Sequence, residues 1–406
     1  MSTTLPAIGL KPREDIRIRR GHPWVYDNEI AVVHGSPLPG DEVKVLDSHG
    51  KALGYAFFNP ASKIRGRIFS KSPAKADEAF FTSVFSSALA WRKRYFDTDR
   101  MSYRAVFGEA DSAPGLIVDL YNGRIAGEKA IQGHWLSCQF LSLGVEKRKA
   151  EIVAALNSVF SPDGILERSD APVRALEGLE PSSGILSGAV PDSILMEENG
   201  ALFAVDLAGG QKTGWFLDQR ANRAAVARLA RGKTVLDVFC NQGGFGILAA
   251  KKGAAKVIAI DSSAPALAAA TRNAALNDLS DRYETVQANA FDQLRILEKS
   301  GAKFDLIVLD PPAFAKSRSA VESAQRGYKE INVRAMRLLS SGGILATCSC
   351  SFWFDAWRFD GMLQEAAYDC GTRYRVVEER VQDLDHPMLS GYNESRYLKF
   401  RIVEML

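Results

Sequence analysis

Between Thr234 and Ser349 five short apolar runs recur, T-V-L-D-V-F, K-V-I-A-I-D, Y-E-T-V-Q-A, F-D-L-I-V-L-D and G-G-I-L-A-T-C-S, separated by longer segments. Helices are expected in those segments over Phe245 to Lys252, Pro265 to Asn277 and about Ser323 to Ser340, and ahead of the first run over Asp218 to Ala230. Apolar strands joined through helices demand a mainly parallel sheet covered on both faces, the doubly wound α/β class. The tail, Y-R-V-V-E-E-R and Y-L-K-F-R-I-V, reads as an antiparallel addition. Sheets of this class bind ligands beyond the carboxyl ends of their strands. Three motifs fall there: D-V-F-C-N-Q-G-G-F-G from Asp237, D-P-P-A-F from Asp310 and T-C-S-C-S from Thr347.

Upstream the pattern changes. Residues 1–73 read as short strands (H-P-W-V-Y, D-E-V-K-V-L-D, A-L-G-Y-A-F-F, I-R-G-R-I-F) with Gly, Asn and Pro between them, which implies a small β-barrel. Arg65 and Arg67 share one face of the last strand and offer an edge for phosphates. The S-K-S-P-A-K-A-D stretch after Phe69 is a linker, and residues 74–192 form a middle α+β domain: a helix from Glu78 to about Tyr95, then strands around a helix near Val145 to Phe160. Residues 193–406 carry the α/β domain, with L-F-A-V-D-L as its opening strand.

The 406 residues, 46% of them hydrophobic, suffice for two or three cores. A net charge of +3 does not announce a polyanionic partner, although Arg13, Arg17, Arg19 and Arg20 make the N-terminus locally basic. Five cysteines, an odd number without any C-x-x-C, argue against a disulfide framework and a structural metal. With neither a secretory leader nor an apolar run of membrane-spanning length, a cytoplasmic protein off the membrane is expected.

In the first motif glycine lets the backbone approach a ligand closely, yet the dinucleotide pattern G-x-G-x-x-G is absent. The next strand ends in Asp261, where a carboxylate can accept both hydroxyls of a ribose. Turn and acid together resemble the first two motifs of class I methyltransferases that use S-adenosylmethionine (SAM). SAM is therefore expected over Asp237, Phe239, Cys240, Asn241 and Gly243, against Asp261 and Ser262, with Asn289 and Ala290 at the adenine and Gln219 and Asp310 completing the site. The G-G-Q-K-T stretch from Gly209 is no phosphate loop, because Gln211 stands where glycine must precede the lysine.

Cytosine C5 is a weak nucleophile, so an enzyme methylating it first adds a thiolate at C6 and later removes the C5 proton. A carboxyl near N3 supports the addition, and Asp310, held by Pro311 and Pro312, is the candidate. The D-P-P-A-F loop alone also suits methylation of an exocyclic amine. Cys348 and Cys350 are candidate nucleophiles; two apart in a strand, they share a side, and periodicity does not separate them. Free cysteines are commonly buried hydrophobes, but a strand end beside the D-P-P loop favours chemistry.

Longer stretches narrow the reading: R-R-G-H-P-W-V-Y from Arg19, N-P-A-S-K-I-R-G-R from Asn59, P-G-L-I-V-D from Pro114, F-L-S-L-G-V-E-K-R from Phe140, E-R-S-D-A-P-V-R from Glu167, K-T-G-W-F-L-D-Q-R from Lys212, R-G-Y-K-E-I-N from Arg326, S-C-S from Ser349 and D-H-P from Asp385. Over nearly its full length the chain resembles the bacterial 23S ribosomal RNA (cytosine-5)-methyltransferase family with an N-terminal PUA domain, the large-subunit methyltransferase I family. The resemblance implies a PUA RNA-binding barrel, a strand-strand-helix-strand-strand middle domain, a Rossmann-like SAM domain, 23S ribosomal RNA as partner and a homodimer. Counted from Gly342-Gly343, the family's nucleophile falls on Cys350, whereas Thr347-Cys348-Ser349 mimics the T-C-S of related RNA cytosine methyltransferases. Lys212, Asp218 and Arg220 match a family segment that lines the pocket, although Asp218 also suits a helix cap. With no cysteine in the D-P-P loop, one thiol attacks and a different base releases the product.

The resemblance weakens over Gly127 to Ser137, where G-E-K-A-I-Q-G-H-W-L-S interrupts an expected strand. His22 has no partner carboxylate at recognisable spacing and suits a barrel turn, His386 in D-H-P is ambiguous, and both stay outside the catalytic set. The expected activity is formation of 5-methylcytosine in ribosomal RNA through a Cys350–C6 bond, with Asp310 at N3. Its rivals are methylation of an exocyclic amine or of uracil, and a ribosome-assembly factor that binds RNA without turnover.

Overall fold

The computed structural model describes residues 5–125, 132–210 and 213–406. They group into two compact units: Met1–Met196 with Val205–Leu217 and Leu384–Ser395, and Glu197–Ala204 with Asp218–Asp383 and Arg396–Leu406. Among the described residues no helix is long and apolar enough to cross a membrane.

In the first unit six strands, ordered Trp24–Tyr26, Ile64–Ser70, Ala52–Phe58, Glu42–Leu46, Ala7–Leu10 and Ile30–His34, enclose Ile8, Leu10, Val25, Val43, Val45 and Ala56. Ile30–His34 was illegible in sequence because Val32 and Val33 are both exposed on this edge strand, so no in-out alternation marks it. Arg67 does not present a phosphate edge. Its guanidinium lies 2.9 Å from both Glu109 and Glu177 and over the Trp24 ring, so its charge is spent inside the protein.

A seven-stranded sheet follows, ordered Ser182–Gly188, Gly164–Ser169, Gln132–Phe140, Leu116–Ile125, Ser193–Glu198 and Ala201–Asp206, with Tyr103–Phe107 paired to Leu116–Ile125. Helices Glu78–Arg92 and Lys149–Phe160 cover it, and Asp77 opens the first by accepting the Phe80 N–H. Phe81, Phe85, Tyr103, Ile152 and Leu156 pack into one core that also takes Tyr55, Phe57 and Phe69 of the barrel. The expected interruption is strand from Gln132 onward: Leu116–Ile125 pairs with Gln132–Phe140 from Leu116 opposite Phe140 to Arg124 opposite Gln132. Residues 126–131 lie outside the described residues. The L-F-A-V-D-L stretch also differs from expectation. Asn199 and Gly200, both at positive φ, turn the chain in a tight hairpin, so Ala201–Asp206 joins this sheet and not the parallel one.

The second unit holds the doubly wound sheet, ordered Tyr283–Gln287, Lys256–Asp261, Thr234–Val238, Phe304–Leu309, Leu339–Ser349, Lys399–Met405 and Tyr374–Arg380. The first five strands run parallel, and Lys399–Met405 is antiparallel to both its neighbours. Helices Arg220–Ala227, Gly244–Lys251, Ala264–Leu276 and Val321–Leu338 stand close to where the sequence places them. Ala290–Lys299 and Ala356–Asp369 were not anticipated. The strand order reverses between Thr234–Val238 and Phe304–Leu309, the switch point where such sheets open a crevice.

Candidate active site

The turn after Thr234–Val238 is strained. Phe239, Asn241 and Gly243 all have positive φ (64°, 48° and 86°), a region costing non-glycine residues about 1–2 kcal/mol each. Asp261, ending the adjacent strand, holds the turn: one carboxylate oxygen accepts the Asn241 N–H at 2.9 Å and the other the Ser263 N–H at 2.9 Å. Each oxygen keeps a further lone pair for a ligand. A side chain at position 246 would meet Asp237 Oδ2 at 2.9 Å, the oxygen that accepts the Gly246 N–H, so glycine is required there.

Asp237 Oδ1 is buried with no hydrogen-bond partner among the described residues. Burial, opposed by the Gly246 N–H and aided by Asp310 and Asp261, pushes its carboxyl up to about 7. An orphaned carboxylate oxygen under a strained glycine turn suits a cationic ligand, and SAM carries an ammonium and a sulfonium; the residues present fit that group. Ser262 follows Asp261 and is exposed. Cys240 is buried, its thiol driven well up by burial, so it packs beneath the turn. Asn289 caps Ala290–Lys299 through its Oδ1, which accepts the Phe291 and Asp292 N–H groups, and Ala290 is buried at the helix start. That cap occupies the Asn289 side-chain oxygen and not its NH2.

Leu309 lies opposite Thr347 in the parallel ladder, which brings Asp310 beside Cys348. The Cys348 thiol donates to Asp310 Oδ1 at 2.8 Å, and Gln219 Nε2 donates to the same oxygen at 3.1 Å and to the sulfur at 3.5 Å. Gln219 is fixed in turn by Asn222, whose amide donates to its Oε1 at 2.7 Å. Gln219 thus contacts Asp310, which was expected to share the cofactor site with it, and also reaches the Cys348 sulfur. Burial, with Asp310 adding to it, drives the Cys348 thiol far up, so this fully buried sulfur stays protonated. Burial also raises the Asp310 carboxyl, against the Cys348 hydrogen bond and with help from Asp218.

Cys350 differs from Cys348 because the strand ends at Ser349, and its side chain is only partly buried. The next residue ties its loop down. Ser351 Oγ accepts the Ala315 N–H at 3.0 Å and pairs with the Tyr328 hydroxyl at 2.9 Å, while that hydroxyl accepts the Phe314 N–H at 3.3 Å. The D-P-P-A-F loop and the Cys350 loop are therefore clamped together.

Sequence reasoning missed Lys399. Its Nζ, buried, donates to the Ser351 carbonyl at 2.6 Å and the Tyr397 carbonyl at 2.9 Å. Burial pulls it down to about 8, while the nearby Cys350 sulfur, when ionised, favours its charged form. Nothing in Y-L-K-F-R-I-V distinguishes this lysine from an outward strand residue. Asp218 accepts the Tyr397 hydroxyl at 2.6 Å, and Gln219 holds the helix N-cap position. Arg220 pairs with Asp383 at 2.9 Å and is buried; Lys212 lies outside the described residues. His22 does have a carboxylate neighbour, Glu394 at 3.3 Å, and His386 pairs with the adjacent Asp385 at 2.8 Å, all in the first unit. The Glu394 contact bridges more of the sequence than any spacing rule reaches.

Residues 8–71 match the PUA-like domain family, and residues 179–390 match the S-adenosylmethionine-dependent methyltransferase family. The chain is 39% identical over 398 residues to the ribosomal RNA large subunit methyltransferase I of Vibrio campbellii, covering 97% of this chain and 98% of that protein. It is 39% identical over 413 residues to the protein of the same name from Tolumonas auensis, covering all of both. Among solved structures it is similar to a chain from Streptococcus mutans (TM-score 0.82, 21% identity, 99% of this chain and 100% of that one) and to one in complex with SAH (TM-score 0.83, 21% identity, the same coverage). At that identity the likeness is one of fold.

Proposed function

The chain belongs to the ribosomal RNA large subunit methyltransferase I family, a SAM-dependent family, and we propose that it forms 5-methylcytosine in 23S ribosomal RNA through a covalent bond between Cys350 and C6. The observation that carries the choice of thiol is the contrast at the strand end. Cys348 is fully buried and keeps its proton, which it donates in a hydrogen bond to Asp310, whereas Cys350 is partly exposed beside a buried ammonium. Only a thiolate attacks, and a neighbouring cation favours one. The homodimer is carried by the family resemblance alone.

SAM, held by Asp237, the 239–243 turn and Asp261, supplies an electrophilic methyl group. The target cytosine leaves its stack to reach the site. The Cys350 thiolate adds to C6, and the displaced electron pair is drawn toward N3. Asp310, whose carboxyl is raised by burial and so holds a proton more readily, donates it to N3. Carbon 5 becomes nucleophilic and takes the methyl group, a neutral thioether being the leaving group; loss of the C5 proton to a base other than Cys350 then breaks the C6–S bond and restores the thiolate, and N3 returns its proton to Asp310. The Lys399 ammonium stabilises that thiolate electrostatically, and Gln219 fixes the Asp310 rotamer.

The test is nucleoside mass spectrometry of unmodified 23S ribosomal RNA incubated with SAM. Wild type and Cys348→Ala are expected to yield 5-methylcytosine and Cys350→Ala none. A methylated amine as product, or product from Cys350→Ala, refutes the proposal.

A further inference from the structure

Directly after the reactive loop the chain reads S-F-W-F-D-A-W-R from Ser351, and three of its four aromatic rings face solvent. Phe354 is fully buried and anchors the segment in the core against Tyr328, its ring stacked 5.1 Å away. Phe352, Trp353 and Trp357 are 38%, 44% and 82% exposed. Trp357 opens the helix Ala356–Asp369, whose core face is Phe359, Met362, Leu363, Ala366 and Ala367, so its indole stands on the outer face by helical geometry. One turn on, at i+4, Gly361 leaves a bare patch beside it with nothing within 4 Å of where a side chain would begin. Phe352 and Trp353 meet edge to face at 5.2 Å, which leaves ring faces open.

Leaving indole surface in water forfeits about 25 cal/mol per Å² of burial, so exposed rings clustered within seven residues of a reactive thiol call for a partner. The surrounding charge states which kind. Lys316 and Arg318 follow Ala315, whose N–H is bonded to Ser351, and Arg358 adjoins Trp357; all three are exposed and none is in an ion pair among the described residues. Asp355, the local acid, is occupied at the helix start, where it accepts the Arg358 N–H. Open π-faces interleaved with cations fit stacked bases and their phosphates.

Resting on the RNA methyltransferase reading above, we infer that Phe352, Trp353 and Trp357 form a stacking platform for the single-stranded nucleotides flanking the target base, with Lys316, Arg318 and Arg358 at their phosphates. The platform lies on the segment that leaves Cys350, so stacking a neighbour there would hold the strand open while the target base enters the site. This assigns to a loop and a helix end the grip on unpaired RNA beside the reaction centre.

The experiment compares wild type, the Trp353→Ala/Trp357→Ala pair and the Trp353→Phe/Trp357→Phe pair. Affinity for a fluorescein-labelled, single-stranded 12-nucleotide RNA of mixed sequence is read by anisotropy, SAM affinity by calorimetry, methylation on unmodified 23S ribosomal RNA and oligomeric state by sedimentation. The alanine pair is expected to bind the RNA roughly tenfold or more weakly, the scale of losing one or two stacked bases, with the phenylalanine pair within about threefold of wild type and SAM affinity unchanged. Should the alanine pair not fold, photocrosslinking of wild type to the same RNA must place nucleotides on the 352–357 peptide. RNA affinity within twofold of wild type in a folded alanine pair, a changed oligomeric state with RNA affinity intact, or crosslinks only elsewhere overturns the platform and leaves the methyltransferase reading standing. A wild type that neither binds nor methylates RNA overturns both.

Discussion

Two cysteines two residues apart are chemically distinct here because a strand ends between them. Cys348 sits in the ladder, buried on Asp310; Cys350 lies past the last pair, within reach of solvent. Iodoacetamide at neutral pH is accordingly expected to label Cys350 and spare Cys348 in the folded protein, read by peptide mapping. Lys399→Met removes the adjacent ammonium, and the pH profile for alkylating Cys350 should move alkaline by about one unit. An unmoved profile would show that Lys399 only packs. Asp237 gives a second pH dependence. Its carboxyl, raised to about 7, is protonated in the ligand-free protein over the span from the usual carboxylate range up to that value, and its ionised form is penalised above it. A cationic ligand lowers that value, so binding releases a proton. SAM affinity should therefore rise as pH increases toward 7 and then level off, and Asp237→Asn should flatten the curve. Calorimetry in buffers of different ionisation enthalpy reads the released proton directly.

The central strands Thr234–Val238 and Phe304–Leu309 were legible because strands buried on both faces read as nearly unbroken apolar runs. The helix Ala356–Asp369 was not, because Trp357 and Tyr368, 82% and 84% exposed, place aromatics on its outer face and blur the apolar stripe. Neither was the hairpin at Asn199-Gly200, a turn signal that stood beside a run already assigned to the parallel sheet. The glycine turn carries the sharpest element-scale prediction. Gly246→Ala forces a methyl to within 2.9 Å of both Asp237 Oδ2 and a Val257 methyl, and should cost about 1–3 kcal/mol and weaken SAM binding. A variant with unaltered melting temperature and SAM affinity would show that the turn relaxes freely. The clamp between the loops predicts a different signature: Ser351→Ala removes the acceptor of the Ala315 N–H and should lower kcat while leaving SAM affinity in place.

At the scale of the whole molecule the sequence announced three motifs but not their meeting. Gln219 and Cys348 are 129 residues apart, and Asp310 and Cys348 are 38, and only the order of the parallel strands converts those separations into hydrogen bonds. The first unit has a parallel lesson in Arg67, which looked like a phosphate contact and instead joins barrel to middle sheet through Glu109 and Glu177. Arg67→Ala leaves two buried carboxylates without their cation and should destabilise the protein by about 3–5 kcal/mol, seen as a lower melting temperature. SAM affinity at a temperature where it remains folded should not change. The central claim, that Cys350 is the covalent nucleophile, is tested most directly by trapping. RNA carrying 5-fluorocytosine at the target position, incubated with enzyme and SAM, cannot lose a C5 proton and should remain bound; digestion and mass spectrometry should find the nucleotide on the peptide through its Cys350 sulfur. An adduct on Cys348, or efficient methylation of ordinary RNA with no adduct on the fluorinated one, would contradict the account.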